Sequence, residues 1–107
     1  MSHPLLEAAA ERADEALSLI RELAEIESPT GDARAIGRVF DRVEPEFARR
    51  GYRVRRVPHS ADAPDGGGHI LAVPRARPRG QRPQLLMGHL DTVWPIGTLE
   101  EMPVREE

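Results

Sequence analysis

The sequence contains no cysteine among its 107 residues, and all 15 of its basic residues are arginine. Without cysteine the chain can form neither disulfide bonds nor thiolate metal sites, so histidine and carboxylate groups must hold any metal. The net charge is -3, which gives no electrostatic case for nucleic acid as the main partner. The composition therefore still allows a metal site built from nitrogen and oxygen ligands.

Long apolar runs and a targeting segment are also missing. The N-terminus, MSHPLLEAAAERADEALSL, has no basic start and turns acidic at once. No apolar run approaches the length that crosses a membrane. We therefore expect a cytoplasmic protein with no membrane partner.

Two amphipathic helices are predicted in the first half of the chain. The first opens near Pro4 and runs to about Glu27. Its apolar residues recur near helical spacing, which indicates packing on another element; they are Leu17, Ile20, Leu23, Ala24 and Ile26. The turn Ser-Pro-Thr-Gly at residues 28–31 then ends this helix.

The second helix begins at a cap supplied by Thr30 or Asp32. Its apolar stripe continues to Phe47, so Pro45 is expected to kink the helix and not to end it. Gly51 is expected to end this helix.

About three strands should follow. Residues 52–57 alternate in polarity and could form a hairpin with residues 69–73, across a loop at 58–68. Leu85, Leu86 and Met87 form an apolar run too short for a helix, which predicts a buried strand ended by Gly88. A cluster of arginines could bind an acidic substrate, although a solvated face beside an acidic helix is the preferred interpretation; these are Arg49, Arg50, Arg53, Arg55 and Arg56.

His89 and Asp91 follow the apolar run with one residue between them. In extended backbone alternate side chains point the same way, so the imidazole and the carboxylate should project together. A neutral imidazole binds zinc well, and a nearby carboxylate can orient the ring. On these two residues alone, His89 could equally be a hydrogen-bonded histidine while Asp91 caps a turn.

The whole run LLMGHLDTVWPIG, residues 85–97, closely resembles the first metal-binding motif of the M20 metallopeptidases. These are zinc-dependent exopeptidases and amidohydrolases, and the Asp-Thr-Val continuation is most similar to their glutamate carboxypeptidase branch. The resemblance implies that His89 is a metal ligand of a two-zinc site. It also implies that Asp91 is the catalytic-site aspartate that orients the metal-bound ring.

The resemblance further implies an α/β fold, a partial three-layer sandwich of the zinc exopeptidase type with an incomplete sheet. The family's later motifs, which carry the bridging aspartate, the general-base glutamate and a last histidine, do not occur before Glu107. We therefore expect residues 1–107 to be the N-terminal portion of a catalytic domain that acts on a small peptide or N-acyl amino acid. By itself such a chain should be inactive.

Other interpretations stay open at this point. The chain could be a truncated relic, or a non-catalytic α/β module that binds a protein through an open sheet edge or its arginine-rich strand. Several copies could also assemble a metal site from His89 residues. The loop after the motif carries Trp94, which could wall a substrate pocket or pack under the loop.

Overall fold

A computed structural model describes residues 3–60, 62 and 66–107 of the chain. Helices α1 (Pro4–Glu11), α2 (Ala13–Ala24) and α3 (Ala33–Ala48) come first, followed by strands β1 (Tyr52–Val57) and β2 (His69–Pro74) and a short helix α4 (Thr98–Glu101). The fold is mixed α/β with an open two-stranded sheet. Of the predicted loop at 58–68, Ala61 and residues 63–65 lie outside the described residues.

The single N-terminal helix predicted from Pro4 to Glu27 is wrong, because it is two helices. The backbone leaves the helical region at Arg12, with φ −108° and ψ 8°, and α1 buries none of its residues. The predicted apolar stripe packs only at its C-terminal end, through Leu23 and Ile26, whereas Leu17 and Ile20 are exposed.

Helix α3 supplies the core, as its apolar spacing predicts. Asp32 caps its N-terminus by accepting a 2.8 Å hydrogen bond from the amide of Ala35. Pro45 lies inside the helix, and Gly51 follows its end with a positive φ of 86°. One face of the helix is buried; this face carries Ala35, Ile36, Val39, Phe40 and Val43.

Strands β1 and β2 form the predicted antiparallel hairpin, with Tyr52 opposite Pro74 and Val57 opposite His69. The hairpin packs on α3, where Ile70 contacts the buried face. The rings of Phe47 and Tyr52 add an edge-to-face contact with centroids 5.7 Å apart.

The predicted third strand is wrong. Leu85, Leu86 and Met87 have no regular secondary structure, and they are 79%, 96% and 86% exposed. The sheet contains only β1 and β2 within the described residues, so this apolar run has neither a strand partner nor a surface to cover it. Hydrophobicity indicates that a segment favours burial, but another element must provide the site.

Helix α4 was not predicted from the sequence. Gly97 precedes it with a φ of 97°, a conformation that glycine adopts readily. Among the described helices, none is both long enough and apolar enough to cross a membrane.

Candidate functional site

The turn that ends the first helical region contacts the histidine motif across the chain. Pro29 and Thr92 form a parallel β-bridge. The amide of Thr92 donates to the carbonyl of Ser28 at 2.8 Å, and the amide of Thr30 donates to the carbonyl of Thr92 at 2.9 Å. These main-chain bonds bring residues 28–30 beside residues 90–92.

A buried serine adds a side-chain bond to this bridge. Ser28 is 2% exposed, and its hydroxyl donates a 2.7 Å hydrogen bond to the carbonyl of Leu90. The side chain of Leu90 packs against the buried face of α3. Leu90 is therefore anchored by its carbonyl and its side chain, which places the residues on either side of it.

His89 and Asp91 lie together, as their alternation predicts, even though the run before them is not a strand. The Nδ1 atom of His89 is 3.3 Å from Oδ1 of Asp91 and 2.9 Å from the main-chain carbonyl oxygen of Asp91. The side chain of His89 is 84% exposed.

The contacts of Nδ1 determine which ring nitrogen carries the proton in neutral His89. A carbonyl oxygen can only accept a hydrogen bond, so the 2.9 Å contact favours the tautomer with the proton on Nδ1, and the Asp91 carboxylate at 3.3 Å favours it further. The lone pair then lies on Nε2, the nitrogen directed away from Asp91. This is the tautomer that binds a metal through Nε2.

Thr30 contacts the other carboxylate oxygen of Asp91. Its hydroxyl donates to Oδ2 at 2.7 Å. This hydrogen bond is the main reason that the pKa of Asp91 lies below its ordinary value, because it stabilises the ionised form. One carboxylate oxygen therefore accepts the Thr30 hydrogen bond, and the other lies 3.3 Å from the His89 ring.

Two cavities adjoin this site. The larger, of about 740 Å³, is lined by His89 and Asp91 together with His59 and His69. The rings of His59 and His69 stack with their centroids 6.2 Å apart. Sequence spacing did not connect these two histidines with His89; the hairpin of β1 and β2 brings them to the same cavity.

The smaller cavity, of about 340 Å³, is lined by Trp94 as well as by Thr30, His89 and Asp91. Trp94 is 55% exposed, so it lines the pocket and does not pack under the loop.

Glu27 holds the far end of the loop that follows the motif. Its carboxylate accepts hydrogen bonds from the amides of Gly97, at 2.9 Å, and Leu99, at 3.0 Å. These amide bonds hold the pKa of Glu27 below its ordinary value. The loop at 92–97 is thus attached at one end to the Pro29–Thr92 bridge and at the other end to Glu27.

Three of the five arginines in the cluster form ion pairs with carboxylates. Arg49 and Arg50 pair with Glu46 of α3 and with Glu15 of α2. Arg56 pairs with Asp41 and Glu44 of α3 and lies over the Phe40 ring. These pairs support the preferred interpretation of a charged face beside an acidic helix.

We tested whether these residues fit a metal ion. His89 fits as one ligand, because its Nε2 carries an exposed lone pair and its Nδ1 is held by Asp91. Within residues 3–60, 62 and 66–107, no three histidine or carboxylate side chains converge to complete a site. A catalytic zinc needs about three protein ligands, so the described residues offer only part of a centre.

Comparison with known proteins finds similarity to a carboxypeptidase. Carboxypeptidase G2 from Pseudomonas sp. (strain RS-16) is 33% identical to this chain over 103 residues, which cover 96% of the chain and 24% of that protein. No protein-family profile matches the chain, and no solved structure matches it at a significant level. The chain is therefore similar to a carboxypeptidase but spans about a quarter of its length.

Proposed function

We propose that this chain is the N-terminal part of the catalytic domain of a zinc-dependent metallohydrolase, similar to the glutamate carboxypeptidases of the M20 family. The complete enzyme hydrolyses an amide or peptide bond in a small peptide or N-acyl amino acid. The observation that carries this proposal is the geometry of His89, whose Nδ1 is held by Asp91 while its exposed side chain lines a cavity.

In this proposal His89 binds one metal through Nε2, and Asp91 fixes the direction of the ring. Zinc, when bound, supplies a Lewis acid for the carbonyl and lowers the pKa of a bound water. The other ligands and the general base belong to residues outside this chain. The 107 residues by themselves are expected to be catalytically incompetent.

The similarity to carboxypeptidase G2 supports the reaction class, since that relative is named for carboxypeptidase activity. It extends over nearly the whole chain and so is not confined to the His-X-Asp run. The small share of the relative that is covered agrees with the expectation that further residues complete the site.

The first experiment identifies the polypeptide made from this gene in its own cell, by intact mass after capture with an antibody to residues 3–27. That polypeptide is then purified, its zinc content is measured by elemental mass spectrometry, and it is assayed on a panel of peptides and N-acyl amino acids. We expect a longer product that binds zinc and releases an amino acid from at least one member.

His89→Ala should abolish this hydrolysis and lower the zinc content of the longer product. His3→Ala is the matched control, because the His3 ring caps α1 through the Leu5 amide. It should leave both measurements unchanged. Full activity in the His89→Ala protein would overturn the site assignment.

A second candidate is a non-catalytic module that binds a protein partner. Two observations favour it: the apolar run Leu85, Leu86 and Met87 is exposed, and the two-stranded sheet is open. A cellular product that ends at Glu107, folds as a monomer and carries no zinc would select this candidate over the hydrolase.

A further inference from the structure

We propose that Thr30 is a positioning residue of the metal site, holding the Asp91 carboxylate and, through it, the direction and tautomer of the His89 ring. This inference rests on the proposed function, in which His89 binds a metal. It assigns a role to the turn at residues 28–31, which lies far from the histidine motif in the sequence.

The Thr30 hydroxyl donates its hydrogen bond to the Asp91 carboxylate. Its oxygen is 2.7 Å from Oδ2 of Asp91 and 3.1 Å from the carbonyl of Thr92. A hydroxyl has one proton to donate, and the carboxylate oxygen is the closer and the charged acceptor. The Thr92 carbonyl already accepts from the Thr30 amide at 2.9 Å. The proton therefore belongs on the bond to Asp91.

The bond from Thr30 restricts the orientation of the Asp91 carboxylate. Asp91 uses Oδ2 for Thr30 and has Oδ1 at 3.3 Å from the His89 ring. The two oxygens lie in one plane, so a fixed Oδ2 restricts rotation of the carboxylate and keeps Oδ1 directed at the ring.

Thr30 itself is held in place by main-chain contacts. Its amide bond to Thr92 and the neighbouring Pro29–Thr92 bridge are main-chain contacts. These contacts do not depend on the side chain at position 30. His89 is 84% exposed, so little packing orients its ring. Its orientation depends on two contacts of Nδ1, with the main-chain carbonyl of Asp91 at 2.9 Å and with the Asp91 carboxylate at 3.3 Å, and Thr30 supports the second of them.

The test compares Thr30→Val with Thr30→Ser. Valine has nearly the shape of threonine but no hydroxyl, whereas serine keeps the hydroxyl and loses the methyl group. Thr30 is exposed, so neither change removes core packing. The main-chain amide spectra of the variants should match that of the unsubstituted chain, which verifies the fold. Thr30→Ala provides a second deletion of the hydroxyl.

The readout is the ¹⁵N spectrum of the histidine rings at about pH 8.5, where an ordinary imidazole is neutral. The chain has four histidines, and His89→Gln identifies the signals of His89. The unsubstituted chain should show His89 with the proton on Nδ1. Thr30→Val and Thr30→Ala should give a mixture of tautomers, and Thr30→Ser should restore the single form. An unchanged Nδ1–H form in both hydroxyl deletions would overturn the proposal.

Zinc affinity of the longer cellular product gives a second readout. Loss of a group that supports a metal ligand typically weakens metal binding by about 10–100-fold. We expect a loss of that size for Thr30→Val and little change for Thr30→Ser. Equal affinities for the two variants contradict the positioning role.

The two proposals fail in different ways. A hydroxyl-dependent tautomer in a product that binds no zinc would overturn the hydrolase and leave the orienting contact intact. Zinc-dependent hydrolysis with a Thr30→Val protein that matches the unsubstituted one would overturn only the role of Thr30.

Discussion

The hydroxyl of Thr30 and the carboxylate of Asp91 lie 2.7 Å apart, although 61 positions separate them in the chain. The contact joins the turn before α3 to the segment that carries the histidine motif. It lies beside the parallel bridge between Pro29 and Thr92. The orientation of the motif therefore depends on the first part of the chain as well as on its own sequence.

Ser28→Ala tests the buried bond beside this contact. The substitution removes the donor to the Leu90 carbonyl at a side chain that is 2% exposed. Loss of an intramolecular hydrogen bond costs about 0.5–1.5 kcal/mol, so the free energy of unfolding should fall by that amount in urea denaturation. Ser18→Ala, at an exposed position of α2, is the control and should change it by less than about 0.5 kcal/mol. Equal effects of the two substitutions contradict the assigned bond.

Ile36→Val tests the buried face of α3. Ile36 is 6% exposed, whereas Ile20 on α2 is 62% exposed. Removing one buried methylene group should lower the free energy of unfolding by about 0.5–1.5 kcal/mol. The same change at Ile20 should have an effect within about 0.5 kcal/mol. A larger loss at Ile20 than at Ile36 would show that the core lies elsewhere.

Glu46 should make the stability depend on acid pH. Bonds from Arg42, Arg50 and Arg49 lower the pKa of Glu46 from 4.5 to about 2. A carboxyl group whose pKa is lower in the folded protein stabilises it fully above pH 4.5, and this contribution is lost as the pH falls towards about 2. Glu46→Gln should therefore lose less stability than the unsubstituted chain across this range.

The measurement for Glu46 is the urea midpoint at a series of pH values between 5 and 2, roughly the range spanned by ordinary and lowered carboxyl pKa values. Glu11→Gln, at an exposed position of α1, is the control and should keep the pH dependence of the unsubstituted chain. Parallel curves for Glu46→Gln and the unsubstituted chain would contradict the prediction.

Glu27→Ala tests the attachment of the loop after the motif. The Gly97 and Leu99 amides lose their acceptor, so their hydrogen exchange should become faster. The Met102 amide, which donates to the carbonyl of Thr98 at 2.8 Å, should follow if α4 unfolds locally. Glu25→Ala, which removes a surface pair with Arg21, should leave these amides protected. Unchanged exchange in Glu27→Ala would show that the carboxylate does not hold the loop.

The sequence predicted those parts of the fold that rest on local interactions. The apolar spacing of α3, its cap at Thr30 or Asp32 and its end at Gly51 each depend on residues a few positions apart, and the structure has Asp32 as the cap. The hairpin of β1 and β2 was predicted from the alternation in β1 and the apolar run of β2. The break at Arg12 was missed because both flanking segments favour helix and neither glycine nor proline marks the break.

In the candidate site, too, the sequence predicted the local arrangement and the tertiary structure decided the contacts between distant segments. Sequence alone placed His89 and Asp91 side by side, since one intervening residue in extended backbone puts two side chains on one face. The roles of these residues towards zinc remain predictions. The tertiary structure alone decided that Thr30 contacts Asp91, that Glu27 holds the Gly97 and Leu99 amides, and that the Leu85–Met87 run is uncovered. These features depend on which distant segments meet, and local propensity and periodicity carry no information about that choice.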